Sequence, residues 1–153
     1  MKFFRNMYQK SKEQKGFTLV EMIVVLVIIA ILAAITIPAL LKYIDKARDK
    51  QVVINARTAY LAAETAASEA YAANKTITSG GSITFGNSDT GDTGFIKNAE
   101  DLTGIETSKY TCTVTFGDKW KIKSVVYDDL GKSKKATLDL TSSSTEWEVT
   151  DKK

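Results

Sequence analysis

Gly16-Phe17-Thr18-Leu19-Val20-Glu21 heads an apolar run that continues to Leu41. From Met22 to Leu41 there are twenty consecutive residues without a charge. A helix rises about 1.5 Å per residue, so this run covers roughly 30 Å, the thickness of a bilayer core. Glu21 stands four residues beyond Phe17, within the apolar stretch. A carboxylate at that depth costs on the order of a few kcal/mol unless something pairs with it, and a plain membrane anchor has no reason to carry one.

The residues upstream are basic: Lys2, Arg5, Lys10, Lys12 and Lys15 precede Gly16. A basic segment, then Gly-Phe-Thr-Leu-x-Glu, then twenty apolar residues resembles the class III leader of type IV pilins and pseudopilins. The resemblance covers Lys15 to about Lys50, and Ala33-Ala34-Ile35-Thr36-Ile37-Pro38 adds to it. It departs at Ala30, where many members carry glycine. The resemblance implies cleavage between Gly16 and Phe17 by a prepilin peptidase, N-methylation of Phe17, and an assembly role for Glu21. A secretory signal peptide fits less well. The small residues Ala30, Ala33 and Ala34 each have Ile or Leu two positions earlier, and the apolar run is too long.

The formal charge of +3 belongs to the leader. Five of the 21 basic residues and one of the 18 acidic residues lie in 1–16, which leaves 16 basic and 17 acidic beyond it. The remainder is nearly neutral and carries no evident nucleic-acid footprint. Basic residues flank the span on both sides, with Lys42, Lys46, Arg48 and Lys50 following it, so charge alone orients it weakly. The family likeness implies a cytoplasmic leader and an external C-terminal part. The lone Cys112 allows no intramolecular disulfide, which is compatible with an exported protein of a Gram-positive bacterium.

The helix is expected to run from Phe17 to Ala73, kinked at Pro38, whose ring removes one backbone donor. Val53, Ala56, Tyr60, Ala63, Ala67, Ala70 and Asn74 recur at spacings of three and four and mark one helical stripe. Residues 75–109 read as a variable loop region. It contains the turn formers Ser79-Gly80-Gly81-Ser82 and Gly86–Gly94, a short strand at Ile83 and Phe85, and a helical turn from Asn98 to Thr103. Asn98 is read as its cap and Gly104 as its stop.

Period-two alternation organises 110–150 into four strands. The expected dry faces are Tyr110, Cys112, Val114 and Phe116; Trp120, Ile122, Ser124 and Val126; Ala136, Leu138 and Leu140; and Thr145, Trp147 and Val149. Tyr127 falls on the wet face. The fold class is therefore α+β, a long helix packed on a four-stranded antiparallel meander, which is the pilin fold. The chain divides into a leader (1–16), a membrane or filament-core helix (17–41), an amphipathic helical half (42–74), the loop region and the sheet.

No catalytic or metal-ligating set emerges. The chain has no histidine, the commonest general base and metal ligand. Two glycine spacings in 81–94 mimic a phosphate loop, but Asn87 and Asp92 occupy the lysine position. Asp89 with Asp92, or Asp128 with Asp129, could offer oxygens to calcium, without EF-hand spacing. Cys112 reads as a buried thiol, Trp120 and Trp147 as core, and the sequon Asn74-Lys75-Thr76 as chance. No cofactor is expected.

The reading is a structural type IV pilin subunit, not an enzyme, with a pseudopilin of a type II secretion or competence system as the alternative. A membrane-anchored binding module is a third possibility. The resemblance implies partners: other copies in a helical filament, the prepilin peptidase, an assembly ATPase and membrane platform proteins. It implies a single-pass membrane protein before assembly and a surface filament afterwards, serving adhesion, motility or DNA uptake.

Overall fold

A computed structural model describes residues 16–143 and 146–152. The chain forms two compact units, Met1–Tyr43 and Ile44–Lys153. Helix α1, Leu19–Ala72, supplies both.

In the first unit α1 is apolar on every side. Its large apolar side chains from Met22 to Leu41 are 42–70% exposed, which is tolerable only in lipid or against other protein. An eighteen-residue window reaches a mean hydropathy of 3.1, so α1 is long and apolar enough to cross a membrane. Pro38 lies inside α1, with helical residues on both sides. Its missing amide deprives the Ala34 carbonyl of its usual donor. Two residues earlier, the Thr36 hydroxyl donates to the Leu32 carbonyl at 2.9 Å.

In the second unit the helix has one dry face, made of Val52, Ala56, Ala59, Ala62, Ala63, Ala66, Ala67 and Ala70. The expected stripe is corrected in two ways. It is wider, because alanine is small enough for two adjacent rows to be covered together. It is also shifted, with Val52 buried where Val53 was expected and Tyr60 only half-buried. Asn74 lies past the helix, exposed, with φ 56°.

The sheet has five antiparallel strands in sequential order: β1 Ser82–Gly86, β2 Tyr110–Phe116, β3 Ile122–Asp129, β4 Lys134–Asp139 and β5 Glu148–Asp151. This corrects the four-stranded expectation. The short strand at Ile83 and Phe85 pairs in register with β2 from Ser82↔Thr115 to Gly86↔Thr111 and becomes the first strand of the meander. Gly86 is required there: its φ is +110°, and a Cβ would collide with the Tyr110 carbonyl.

A second helix, α2, spans Thr93–Thr103. It is longer than the expected turn, and its cap is Asp92 rather than Asn98. The Asp92 carboxylate accepts from the Phe95 amide at 2.7 Å and pairs with Lys75 at 2.8 Å. These contacts, the Lys75 bond foremost, hold its pKa below the usual carboxylate value. Gly104 ends the helix in the left-handed conformation, as read from sequence.

Strand β2 alternates buried and half-buried residues throughout. Strand β3 does not keep one parity. Phe116 pairs with Ile122 but Thr115 pairs with Ser124, so Lys123 is an extra residue, a β-bulge. Beyond it the dry residues are Val125, Tyr127 and Asp129. Tyr127, expected on the wet face, is therefore in the core, and Val126, expected dry, is half-buried. Trp147 is half-buried against the core but precedes β5, and Thr145 lies outside the described residues.

Six aromatic rings line the sheet side of the core. Tyr110 stacks on Tyr127 at 5.5 Å, Phe95 stacks on Trp120 at 5.8 Å, and Phe85 and Phe116 meet their neighbours edge-on. Each such pair adds about 0.5–1.5 kcal/mol beyond its buried area. Trp120 is further held by its indole N–H, which donates to the Lys75 carbonyl at 2.9 Å. It has a left-handed backbone, as does Lys119 before it (φ 62° and 55°). For side-chain-bearing residues this costs roughly 1–2 kcal/mol each, offset by the packing of Trp120.

The core closes within the second unit. A fragment beginning at Tyr43 is therefore expected to be soluble, folded and cooperative, with a melting temperature that reductant does not change; circular dichroism with and without reductant checks this. Ala63→Leu in that fragment forces a larger side chain against fully covered neighbours. It should lower stability by about 1–3 kcal/mol in urea unfolding.

Candidate assembly site at the helix N-terminus

Gly16, Phe17 and Thr18 have no regular secondary structure and are exposed, and α1 begins at Leu19. The start of a helix leaves its first amides without carbonyl partners. Thr18 and Glu21 supply two of the missing partners. The Thr18 hydroxyl oxygen accepts from the Glu21 amide at 3.2 Å. The Glu21 Oε2 accepts from the Thr18 amide at 2.8 Å and from its hydroxyl at 2.9 Å. This is a reciprocal capping box, the Thr-x-x-Glu pattern. The sequence contained that signal, and reading Glu21 only as a charge in an apolar run overlooked it. Glu21 thus has a structural reason to exist even in a single chain.

The capping box engages one carboxylate oxygen. Oε1 has no hydrogen-bond partner among the described residues. It stands on an exposed side chain four residues after Phe17, itself 79% exposed. A cut between Gly16 and Phe17 would leave every atom of the capping box in place, because Thr18 keeps its amide and hydroxyl.

Three of the four acids weighed as calcium ligands have cationic partners. Asp92 caps α2. Asp129 is buried, accepts from the Gly131 amide at 3.0 Å and faces Lys132. Asp128 pairs with Lys152. Among the described residues no three His, Cys, Asp or Glu side chains gather as a metal site. Cys112 is fully buried, and burial pushes its thiol pKa far up, so it stays protonated. An ion-pair network missed from sequence joins Lys134 to Asp49 of α1 at 3.0 Å and to Asp151 of β5 at 2.7 Å. It carried no local signal, since its members are far apart in the chain.

Residues 11–37 match the prokaryotic N-terminal methylation motif. Fimbrial protein Q of Moraxella bovis is 55% identical over 40 residues, 26% of this chain and 26% of that protein. The type IV major alpha-pilin of Moraxella bovis is 54% identical over 39 residues, 26% of this chain and 24% of that protein. The chain thus matches about a quarter of the length of these curated relatives. No solved structure matches. The N-terminal segment thus carries the methylation motif, and the likeness to the two Moraxella bovis proteins extends over about 40 residues.

If the capping box orders the first turn, Thr18→Val removes the hydroxyl acceptor at little change in shape. In a lipid-embedded peptide covering 17–41, amide exchange at residues 20 and 21 should accelerate by a factor of about five, the equivalent of roughly 1 kcal/mol. Unchanged exchange would show that the cap contributes nothing.

Proposed function

We propose that this chain is a structural subunit of a type IV pilus, without catalytic activity of its own. The observation that carries this reading is an exposed, fully apolar helix headed by the methylation motif and by a carboxylate with one unengaged oxygen. Prepilin peptidase would cut after Gly16 and methylate Phe17. Before assembly the apolar half of α1 lies in the membrane; afterwards it packs among copies of itself in the filament core, and the head faces outwards. Moving apolar surface from lipid to protein yields little net driving force, so an assembly ATPase and a platform protein supply the work.

Cleavage creates a positive amine at Phe17, and methylation keeps that charge. Glu21 of an arriving subunit would present Oε1 to the amine of its neighbour while Oε2 remains in the cap. Two unit charges about 4 Å apart attract by roughly 4 kcal/mol at an effective dielectric of 20. Desolvation offsets much of that, so the pair sets register more than it adds affinity.

Intact-mass measurement of sheared filaments should give a chain beginning at Phe17 and carrying one methyl group; material that retains residues 1–16 would refute the processing step. Glu21→Gln separates the two roles of this side chain. An amide oxygen still completes the capping box, while the charge is lost. The Gln variant should be made, inserted and cut like the wild type, yet be nearly absent from sheared filaments. Wild-type amounts of the Gln variant in filaments would eliminate charge pairing as the mechanism.

A further inference from the structure

A groove of about 730 Å³ opens in the second unit where β3 begins. Tyr60, Glu64 and Tyr71 of α1 form one wall, and Lys119, Lys121 and Lys123 stand opposite. The lysines are there for structural reasons. The left-handed pair Lys119-Trp120 turns the tryptophan inwards and Lys119 outwards. Alternation about buried Ile122 then leaves Lys121 and Lys123 both exposed.

The three lysines differ from five others in the head. Lys75, Lys109, Lys132, Lys134 and Lys152 each face a carboxylate. Among the described residues Lys119, Lys121 and Lys123 have no ion pair. Glu64, the acid in the groove wall, is engaged with the Tyr60 hydroxyl, and neighbouring Asp118 pairs with none of the three. Three cations within five residues thus line a cleft whose wall carries one acid, Glu64, and none of the three forms an ion pair among the described residues.

The same head carries an unanswered acidic patch on different elements. Glu100 of α2 accepts from the Gly86 amide at 3.0 Å, beside Asp89 and Asp101. Burial foremost, against the lowering bond from the Gly86 amide, and then the charges of Asp89 and Asp101 and a side-chain bond with Asp89 hold the Glu100 carboxyl above its ordinary value. Lys97, one turn earlier, forms no ion pair with them.

We propose that the Lys119–Lys121–Lys123 groove of one copy receives the Asp89–Glu100–Asp101 patch of the next copy in the filament. This rests on the pilus reading above. Two different surfaces meet in such a contact, so it is head-to-tail and propagates instead of closing into a dimer. Charge complementarity is what commits the groove to a second copy: the chain itself carries the anionic surface that the lysines lack. Such contacts select partner and orientation.

The test uses the full chain in a piliated host, with the subunit quantified in sheared and membrane fractions. Lys121→Glu with Lys123→Glu should reduce the sheared fraction about tenfold, a loss equivalent to ~1.4 kcal/mol, with the membrane pool unchanged. Asp89→Lys with Asp101→Lys should do the same. Joining all four substitutions in one chain should return filaments to near the wild-type yield, as should co-expression of the two reversed chains. A reversal that merely misfolds the head would deplete the membrane pool and would not be rescued by its opposite. Full assembly of either reversed chain, or failure of both the combined chain and the co-expressed pair, overturns the contact; full assembly with reversed lysines would leave the groove to an external polyanion. If the wild type itself forms no filament, the pilus reading fails, and this contact with it.

Discussion

Contact between a row of alanines and a bank of aromatic rings is the constraint on which the head depends. Ala56, Ala59, Ala63, Ala66 and Ala67 offer almost no side-chain thickness on the buried face of the helix. The volume they do not fill is supplied from the other side by Phe85, Phe95, Tyr110, Phe116, Trp120 and Tyr127. Small residues on the helix and large ones opposite make one interdigitated layer. With Cys112 buried and protonated, this packing and the strand ladder do the work that a disulfide would otherwise share. The rings also explain the local backbone cost at Lys119 and Trp120. The indole is positioned by Phe95, Phe116 and the Lys75 carbonyl, and the chain takes the left-handed turn that this position demands.

Glu21 illustrates how one side chain can serve folding and recognition together. Its Oε2 satisfies the Thr18 amide and hydroxyl, which fixes the rotamer and ties the carboxylate to the first turn. A tethered group loses less entropy when it meets a partner than one on a free side chain. In the proposed filament the cap would therefore hold Oε1 ready for an intermolecular contact. A bare charge in an apolar run would be costly before assembly; a carboxylate already bonded to two donors is less so.

Much of this was legible in the sequence, and the misses have physical causes. The N-terminal segment was readable because its signal is local: charge, glycine, threonine, a single glutamate and a span of fixed length. The alternation of Tyr110, Cys112, Val114 and Phe116 translated directly into β2. Tyr127 was misplaced because one extra residue, Lys123, inverts the parity of everything after it, and a bulge depends on pairing with β2 rather than on β3 alone. The fifth strand was visible only as Ile83 and Phe85, too short to outweigh the glycines around it until pairing with β2 completed it. Asp92 was passed over as a cap because the glycines at 91 and 94 read as turn. The Lys134 network spans three elements distant in sequence, and periodicity carries no information about such contacts.

The two proposed charge contacts answer one thermodynamic problem. A subunit leaving lipid exchanges one apolar environment for another, so burial of the span distinguishes poorly between a correct and a slipped position along the helix bundle. Apolar side chains repeated at almost every position from Met22 to Leu41 make that ambiguity worse, because displacement by one turn would bury similar surface. Something discrete must mark the register. A lone carboxylate near one end of the span does so once per subunit, because every slipped position leaves it without a cation in a medium where that is costly. The head contact operates in water, where each exposed pair contributes little, but three lysines against three acids impose an orientation about the filament axis that a single pair cannot. Position along the axis and orientation around it are independent degrees of freedom, and a helical filament needs both fixed at every added subunit.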